Sequence, residues 1–172
     1  HRDVNAFPTR RASDFGQEWL ETLAECGFDY VEMPTAQMME LDDQAFAALK
    51  ERIARTGLTC ETSNNFFPTY FRLTGPEVDL ESVLDYARRA LTRAEELGVQ
   101  YLVFGRGPAK QVTPGFPLAE GYRQVGELLK QVATIAREHG VTIVIAPLRK
   151  AECNLLNNLA DGAQLERDRE PP

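Results

Sequence analysis

Apolar residues recur at three- and four-residue steps through two long stretches of the chain. Leu80, Val83, Leu84, Ala87, Leu91 and Ala94 form one series, and Tyr122, Val125, Leu129, Val132 and Ala136 form the other. Each series predicts a helix with a single apolar stripe, and Arg88, Arg89, Arg93 and Glu95 fall largely on the opposite side of the first. Each helix signal stops at a glycine, Gly98 or Gly140, and a β-branched or aromatic run follows at once, Val99–Phe104 or Val141–Ile145. The same punctuation occurs earlier, at Gly27 before Phe28–Glu32 and at Gly57 before Leu58–Glu61. Glycine suits the residue after a helix because that position commonly adopts positive φ. The spacing between successive stop glycines leaves room for a crossover helix and its loops. Helix, stop and strand therefore alternate, which predicts an α/β protein with a parallel sheet and right-handed crossovers. The nearly continuous apolar runs at Val99–Phe104 and Val141–Ile145 predict strands covered on both faces.

The residues at the strand ends choose between a barrel and a doubly wound sheet. Polar side chains follow every strand signal: Glu32; Glu61, Ser63 and Asn64; Arg106; and, a few residues further on, Glu152 and Asn154. A βα barrel places chemistry at these positions because its βα loops converge on one mouth. A doubly wound nucleotide fold calls for a glycine-rich turn after the first strand, and Met33-Pro34-Thr35-Ala36 is not one.

Composition narrows the function. The chain has 172 residues, 43% of them hydrophobic, so a single globular domain over residues 1–172 is expected, with 166–172 as a disordered tail. A net charge of −7 is a poor match for neutralising nucleic-acid phosphates. No apolar stretch approaches bilayer length and the first residues lack a secretory hydrophobic core, so a soluble, cytoplasmic protein without membrane partners is expected. Cys26, Cys60 and Cys153 are far apart and form no CxxC, which indicates neither a disulfide framework nor a zinc knuckle. The chain begins with His1 rather than Met, so its natural start is expected to have been removed or to lie upstream.

Few motifs carry chemistry outright. Gly105-Arg106-Gly107-Pro108-Ala109-Lys110 begins like a phosphate loop, but Lys110 replaces a third glycine, Pro108 removes an amide donor, and the next helix is expected only near Leu118. A turn whose two cations, Arg106 and Lys110, hold a sugar hydroxyl, phosphate or carboxylate is an alternative to a merely solvated loop. His139 precedes a stop glycine, where partial positive charge suits the helix dipole. No HExxH, GxSxG or paired metal-ligand spacing occurs. The loop Asn64-Asn65-Phe66-Phe67-Pro68-Thr69-Tyr70-Phe71 offers aromatics either to stack on a sugar or to pack onto the barrel beneath.

Ile143-Val144-Ile145-Ala146-Pro147-Leu148-Arg149-Lys150-Ala151-Glu152-Cys153-Asn154 resembles the EPLNxxExN signature at the fifth strand of sugar isomerases and epimerases with the xylose-isomerase-like TIM barrel, a group that includes ketose 3-epimerases and inosose dehydratase-like proteins. Gly27-Phe28-Asp29-Tyr30-Val31-Glu32 resembles that family's GxDxVE second strand, and Val103-Phe104-Gly105 its VFG fourth strand. The resemblance implies a partial TIM-type barrel of about four parallel βα units, strands two to five, with the first strand missing or confined to the residues before Ser13. It implies a parent activity of metal-dependent aldose–ketose isomerisation or ketose epimerisation by proton transfer. In the family the first Glu of the signature binds Mn²⁺ or Mg²⁺, and here that position is Ala146. The other three family ligands come from strands six to eight, beyond Pro172. No metal cofactor is therefore expected, and the chain is expected to be inactive in this form. Glu152 matches the second Glu of the signature and is the candidate catalytic residue; Glu32, Asn64, Arg106 and Asn154 are candidates for binding a sugar or cyclitol. Arg149 stands where Asn is usual. An incomplete barrel leaves open sheet edges that invite a homo-oligomer. The alternatives are a non-catalytic carbohydrate-binding or assembly module, and an endonuclease-IV-like repair barrel, which needs several His ligands and a basic face that this sequence lacks.

Overall fold

The structure, a computed structural model, describes residues 16–167. After a turn of 3-10 helix at Gln17–Trp19 the elements are α1 (Leu20–Glu25), β1 (Tyr30–Pro34), α2 (Thr35–Met38), α3 (Asp43–Thr56), β2 (Thr59–Asn64), α4 (Leu80–Leu97), β3 (Tyr101–Phe104), α5 (Gly107–Lys110), α6 (Leu118–Glu138), β4 (Thr142–Ile145) and α7 (Leu159–Arg167). The long helices start and stop where local chemistry dictates. Asp42 caps α3 by accepting from the Ala45 amide at 2.8 Å, and Asp79 caps α4 by accepting from the Ser82 amide at 3.1 Å. All four stop glycines lie in the left-handed region, with φ between 67° at Gly140 and 82° at Gly27.

The four strands are parallel and lie in chain order, β1-β2-β3-β4, each joined to the next by a helical crossover. β1 and β4 are the edges. The arc of four consecutive βα units matches the partial barrel that the resemblance implied. The first parent strand, if placed before Ser13, lies outside the described residues. Residue 167 ends α7, so of the expected tail only 168–172 lies outside them.

The predicted stripes are buried except at their N-terminal ends, where Leu80 is 38% exposed and Tyr122 is partly buried. Val83, Leu84, Ala87, Leu91 and Ala94 of α4 and Val125, Leu129, Val132 and Ala136 of α6 are buried, and they share one core with Met33, Cys60, Leu102 and Phe104 of the sheet. Burial pushes the Cys60 thiol up to about 11. His139 closes α6 as its C-cap and places Nδ1 2.7 Å from Glu95 Oε2 on α4.

The expectation that the strands are covered on both faces is not met. Met33, Cys60, Ser63, Leu102 and Phe104 point to the helices and are buried, whereas Tyr30 is 59% and Tyr101 48% exposed, and Glu32, Glu61, Thr142 and Val144 are exposed with them. The physical reason is curvature. Alternate residues of a barrel strand face the barrel interior, and an arc of four units does not enclose one. An apolar run therefore feeds two environments, one packed by helices and one open.

A candidate sugar-binding mouth

The C-terminal ends of the strands carry the polar residues, and a bulge aims them. Tyr30 pairs with Thr59 but Glu32 pairs with Thr62, so β2 holds one residue more than β1 over the same span. Cys60 and Ser63 consequently both face the helices, while Thr62 and Asn64 turn toward Glu32. The Asn64 amide donates to Glu32 Oε1, and the Thr62 hydroxyl lies 3.5 Å from Oε2. The other oxygen of the pair, Asn64 Oδ1, is buried with no donor among the described residues. Beneath them the buried Thr35 hydroxyl donates to Ser63 Oγ at 2.6 Å, and Ser63 donates to the Met33 carbonyl. This chain of hydroxyls fixes the spacing of β1 and β2 directly behind the carboxylate.

Between β3 and β4 the mouth is floored by backbone. Ala146 donates its amide to the Phe104 carbonyl at 3.2 Å, and a Cβ added at Gly105 would sit 3.2 Å from the Ala146 methyl. Strand alternation puts Ala146 on the inner face with Thr142 and Val144. The inner face between β3 and β4 thus ends in a methyl group beside a glycine. Arg106 follows Gly105, is half-buried, and makes no hydrogen bond or ion pair among the described residues.

Two expectations for this loop change. A one-turn helix, α5, starts directly at Gly107 instead of near Leu118, because Pro108 is accommodated in a first helical turn where no amide donor is needed. Lys110 is not a cation of the mouth. It is 0% exposed, its Nζ has no hydrogen-bond partner among the described residues, and it lies 4.9 Å from the centroid of the Phe104 ring on the helix side of the sheet. Burial lowers its affinity for a proton.

The loop after β4 carries Glu152 and Asn154. The Arg149 guanidinium grips the Glu152 carboxylate through Nε and Nη2, each at 3.1 Å, and holds it below the usual carboxylate range. Gly107 is required beneath this loop, since a Cβ there would meet the Glu152 carbonyl oxygen at 2.4 Å. Asn154 spends its side chain on the neighbouring loop: Oδ1 accepts from the Val112 amide at 2.9 Å and Nδ2 donates to the Val112 carbonyl at 2.8 Å. Asn157 donates to the Leu148 and Cys153 carbonyls, which closes the loop on itself.

The aromatic loop after β2 divides between its two possible roles. Phe66 and Phe67 are buried and pack with Phe71, Tyr86 and Phe104, whereas Tyr70 is 71% exposed. Tyr86, on α4, fixes the loop by donating its hydroxyl to the Phe66 carbonyl at 2.9 Å. The sequence carries a signal for it only as one more apolar position on the α4 stripe. The structure therefore joins Glu32 directly to Asn64, sets Arg106 on the adjacent strand end, and leaves Glu152 and Asn154 in a separately braced loop. No group of three or more His, Cys, Asp or Glu side chains among the described residues could hold a metal ion. A methyl at position 146 supplies no donor, so these residues do not fit a divalent cation. No described helix is long and apolar enough to cross a membrane.

The fold has many counterparts. D-psicose 3-epimerase from Clostridium cellulolyticum H10, solved with D-tagatose, superposes with a TM-score of 0.76 at 19% identity over 90% of this chain and 54% of its own. 3-Keto-D-glucoside 4-epimerase from E. coli gives 0.72 at 19% identity over 95% of this chain and 61% of its own. A family 2 AP endonuclease from Brucella melitensis gives 0.70 at 19% identity over 91% and 59%. This chain thus spans about half the length of the epimerases it matches, and at such identities the likeness is one of fold. No curated protein matches the sequence. The family model of the xylose isomerase-like TIM barrel matches residues 20–172, and the chain belongs to that family.

Proposed function

We propose that this arc of a sugar isomerase/epimerase barrel binds a ketose or cyclitol at its C-terminal mouth and does not, by itself, carry out metal-assisted proton transfer. The observation that carries this reading is the pairing of a polyol-binding edge with a missing ligand: Glu32 and Asn64 stand ready on β1 and β2, while the inner face at β3 and β4 ends in Gly105 and Ala146. A carboxylate accepts two sugar hydroxyls. Arg106 supplies donors from the next strand end. Glu152, kept ionised by Arg149, is an acceptor from the β4 loop, and Asn154 acts on it by bracing that loop against Val112. The matched epimerases, solved with D-fructose or D-tagatose, support a sugar as the ligand. Three free thiols support a reducing, cytoplasmic setting.

Calorimetric titration with D-fructose in the presence of EDTA is expected to show weak binding that falls at least about tenfold in Glu32→Gln, with no epimerisation on adding Mn²⁺. Tight Mn²⁺ binding with ordinary turnover would overturn the reading.

A second reading, an assembly module, is favoured by one observation. The open face exposes Tyr30 and Tyr101 between two unpaired parallel edges, β1 and β4. Sedimentation is expected to detect self-association at micromolar concentration; a monomer at all concentrations would remove this reading.

A further inference from the structure

We propose that Lys110 and Cys153 form a covalent modification site, at which peroxide oxidises the thiol and an S–N crosslink then joins Cys153 Sγ to Lys110 Nζ. Neither side chain has a task in the sugar mouth, and both are enclosed: Lys110 is 0% and Cys153 1% exposed. Cys153 belongs to the same core as Phe104, and the Lys110 Nζ lies over the Phe104 ring. The backbone sets the two residues side by side. At one end, Gly107 approaches Glu152 so closely that a Cβ would meet the Glu152 carbonyl oxygen at 2.4 Å. At the other, Gln111 Oε1 accepts from the Asn154 amide at 3.1 Å, and the Asn154 side chain bonds both the amide and the carbonyl of Val112. Residues 107–112 and 152–154 are thus fastened together at both ends, with Lys110 and Cys153 between the fastenings.

An amine attacks sulfur only through a free lone pair. The Lys110 nitrogen has no hydrogen-bond partner among the described residues, and burial pushes it toward the neutral form, with the charge of Cys153 acting in the opposite sense. Its four-carbon stem is flexible enough to bring the nitrogen from the ring to the thiol. The other thiols lack this setting: Cys26 is exposed, and burial pushes Cys60 up to about 11, which keeps it protonated and unreactive. In the first step the Cys153 thiolate attacks one oxygen of hydrogen peroxide. An S–O bond forms, the O–O bond breaks, sulfur gives up two electrons, and the departing hydroxide leaves as water with the thiol proton. In the second, the Lys110 lone pair attacks the sulfenic sulfur. An S–N bond forms, the S–O bond breaks, and the hydroxide takes a proton from nitrogen and leaves as water. The chain loses two hydrogen atoms in all and keeps no oxygen. A thiol reductant attacks the sulfur and releases the amine, and a second thiol restores Cys153. Peroxide enters by local opening of the loop after β4, which side-chain contacts of Asn154 and Asn157 hold shut.

The test treats the intact chain, carrying Cys26→Ala to remove the exposed thiol, with hydrogen peroxide and reads the whole mass and the unreduced tryptic peptides. The expected product is lighter by two hydrogen atoms, joins a peptide containing Lys110 to one containing Cys153, resists cleavage after Lys110, and regains its mass in dithiothreitol. The mass loss is expected to vanish in Lys110→Met and in Cys153→Ala and to persist in Lys150→Arg, which removes the exposed lysine nearest to Cys153 in the chain. The peptide map of the chain with both residues intact locates the bond without relying on any of these variants folding. Cys153 trapped as a sulfenic acid by dimedone with no S–N product overturns the proposal. So does a crosslink to Lys150 or a disulfide with Cys60 in place of the Lys110 bond. Cys153 that stays reduced at a peroxide dose that oxidises Cys26 in the unsubstituted chain overturns it as well.

Discussion

The two faces of the sheet are built from the same kinds of residue and meet opposite fates. Toward the helices, Leu102 and Phe104 of β3 are buried with Met33 and Cys60. Toward the open side, Tyr101 and Val144 are equally suited to a strand and remain exposed. Intrinsic strand preference does not distinguish the two sets, because it measures fit to a pleated surface whichever way the surface faces. What differs is the partner: two amphipathic helices on one side, and on the other a barrel interior that four strands do not close. Stability should therefore reside on one face, and recognition on the rim of the other.

Paired truncations give the sharpest test of this contrast. Leu102→Ala is expected to cost about 3 kcal/mol in urea unfolding, whereas Val144→Ala, one strand away on the open face, should cost under about 1 kcal/mol. Comparable losses would mean that the open face is covered in solution. A smaller effect is expected from Asn154→Ala, about 2 kcal/mol, since the Val112 amide and carbonyl lose their partners where Val112 is buried. The same variant should weaken sugar binding only through the β4 loop, so a tenfold loss of affinity without a loss of stability would make Asn154 a direct ligand.

The smallest effect concerns Lys110, a cation buried on the packed face. Lys110 is buried without a hydrogen bond, and its pKa lies below the ordinary lysine value. The folded state thus binds this proton less readily than the unfolded chain, and stability rises with pH between the folded value and the ordinary one. Lys110→Met is expected to stabilise the protein by about 1 kcal/mol at neutral pH, and the advantage should shrink as the pH approaches the ordinary lysine value. Destabilisation at neutral pH would show that the contact with the Phe104 ring outweighs the cost of burial.

Much of the fold was legible because its signals are local. The stripe on α4, the stop at Gly98 and the strand that follows occupy neighbouring residues, and each is set by side-chain periodicity or by the φ of one glycine. The site was legible only in part. Glu32 and Asn64 were both foreseeable as strand-end residues, yet their direct contact depends on a bulge in β2 that no residue type announces. Lys110 looked like a partner for Arg106 because both are cations in one short loop. The single turn of α5 instead buries its side chain against the Phe104 ring, and sequence spacing carries no record of that turn.

By itself, then, the sequence determined the alternation of helix and parallel strand, the polar strand ends, and the methyl at position 146. These follow from which side chains are present and from their period. The tertiary structure alone decided which face of each strand is packed, that Asn154 braces a loop, that Arg149 holds Glu152, and that Lys110 is buried against the Phe104 ring. Those outcomes depend on how elements far apart in the chain are rotated against one another, and the free energy that sets the rotation comes from burying α4 and α6 against one side of the sheet.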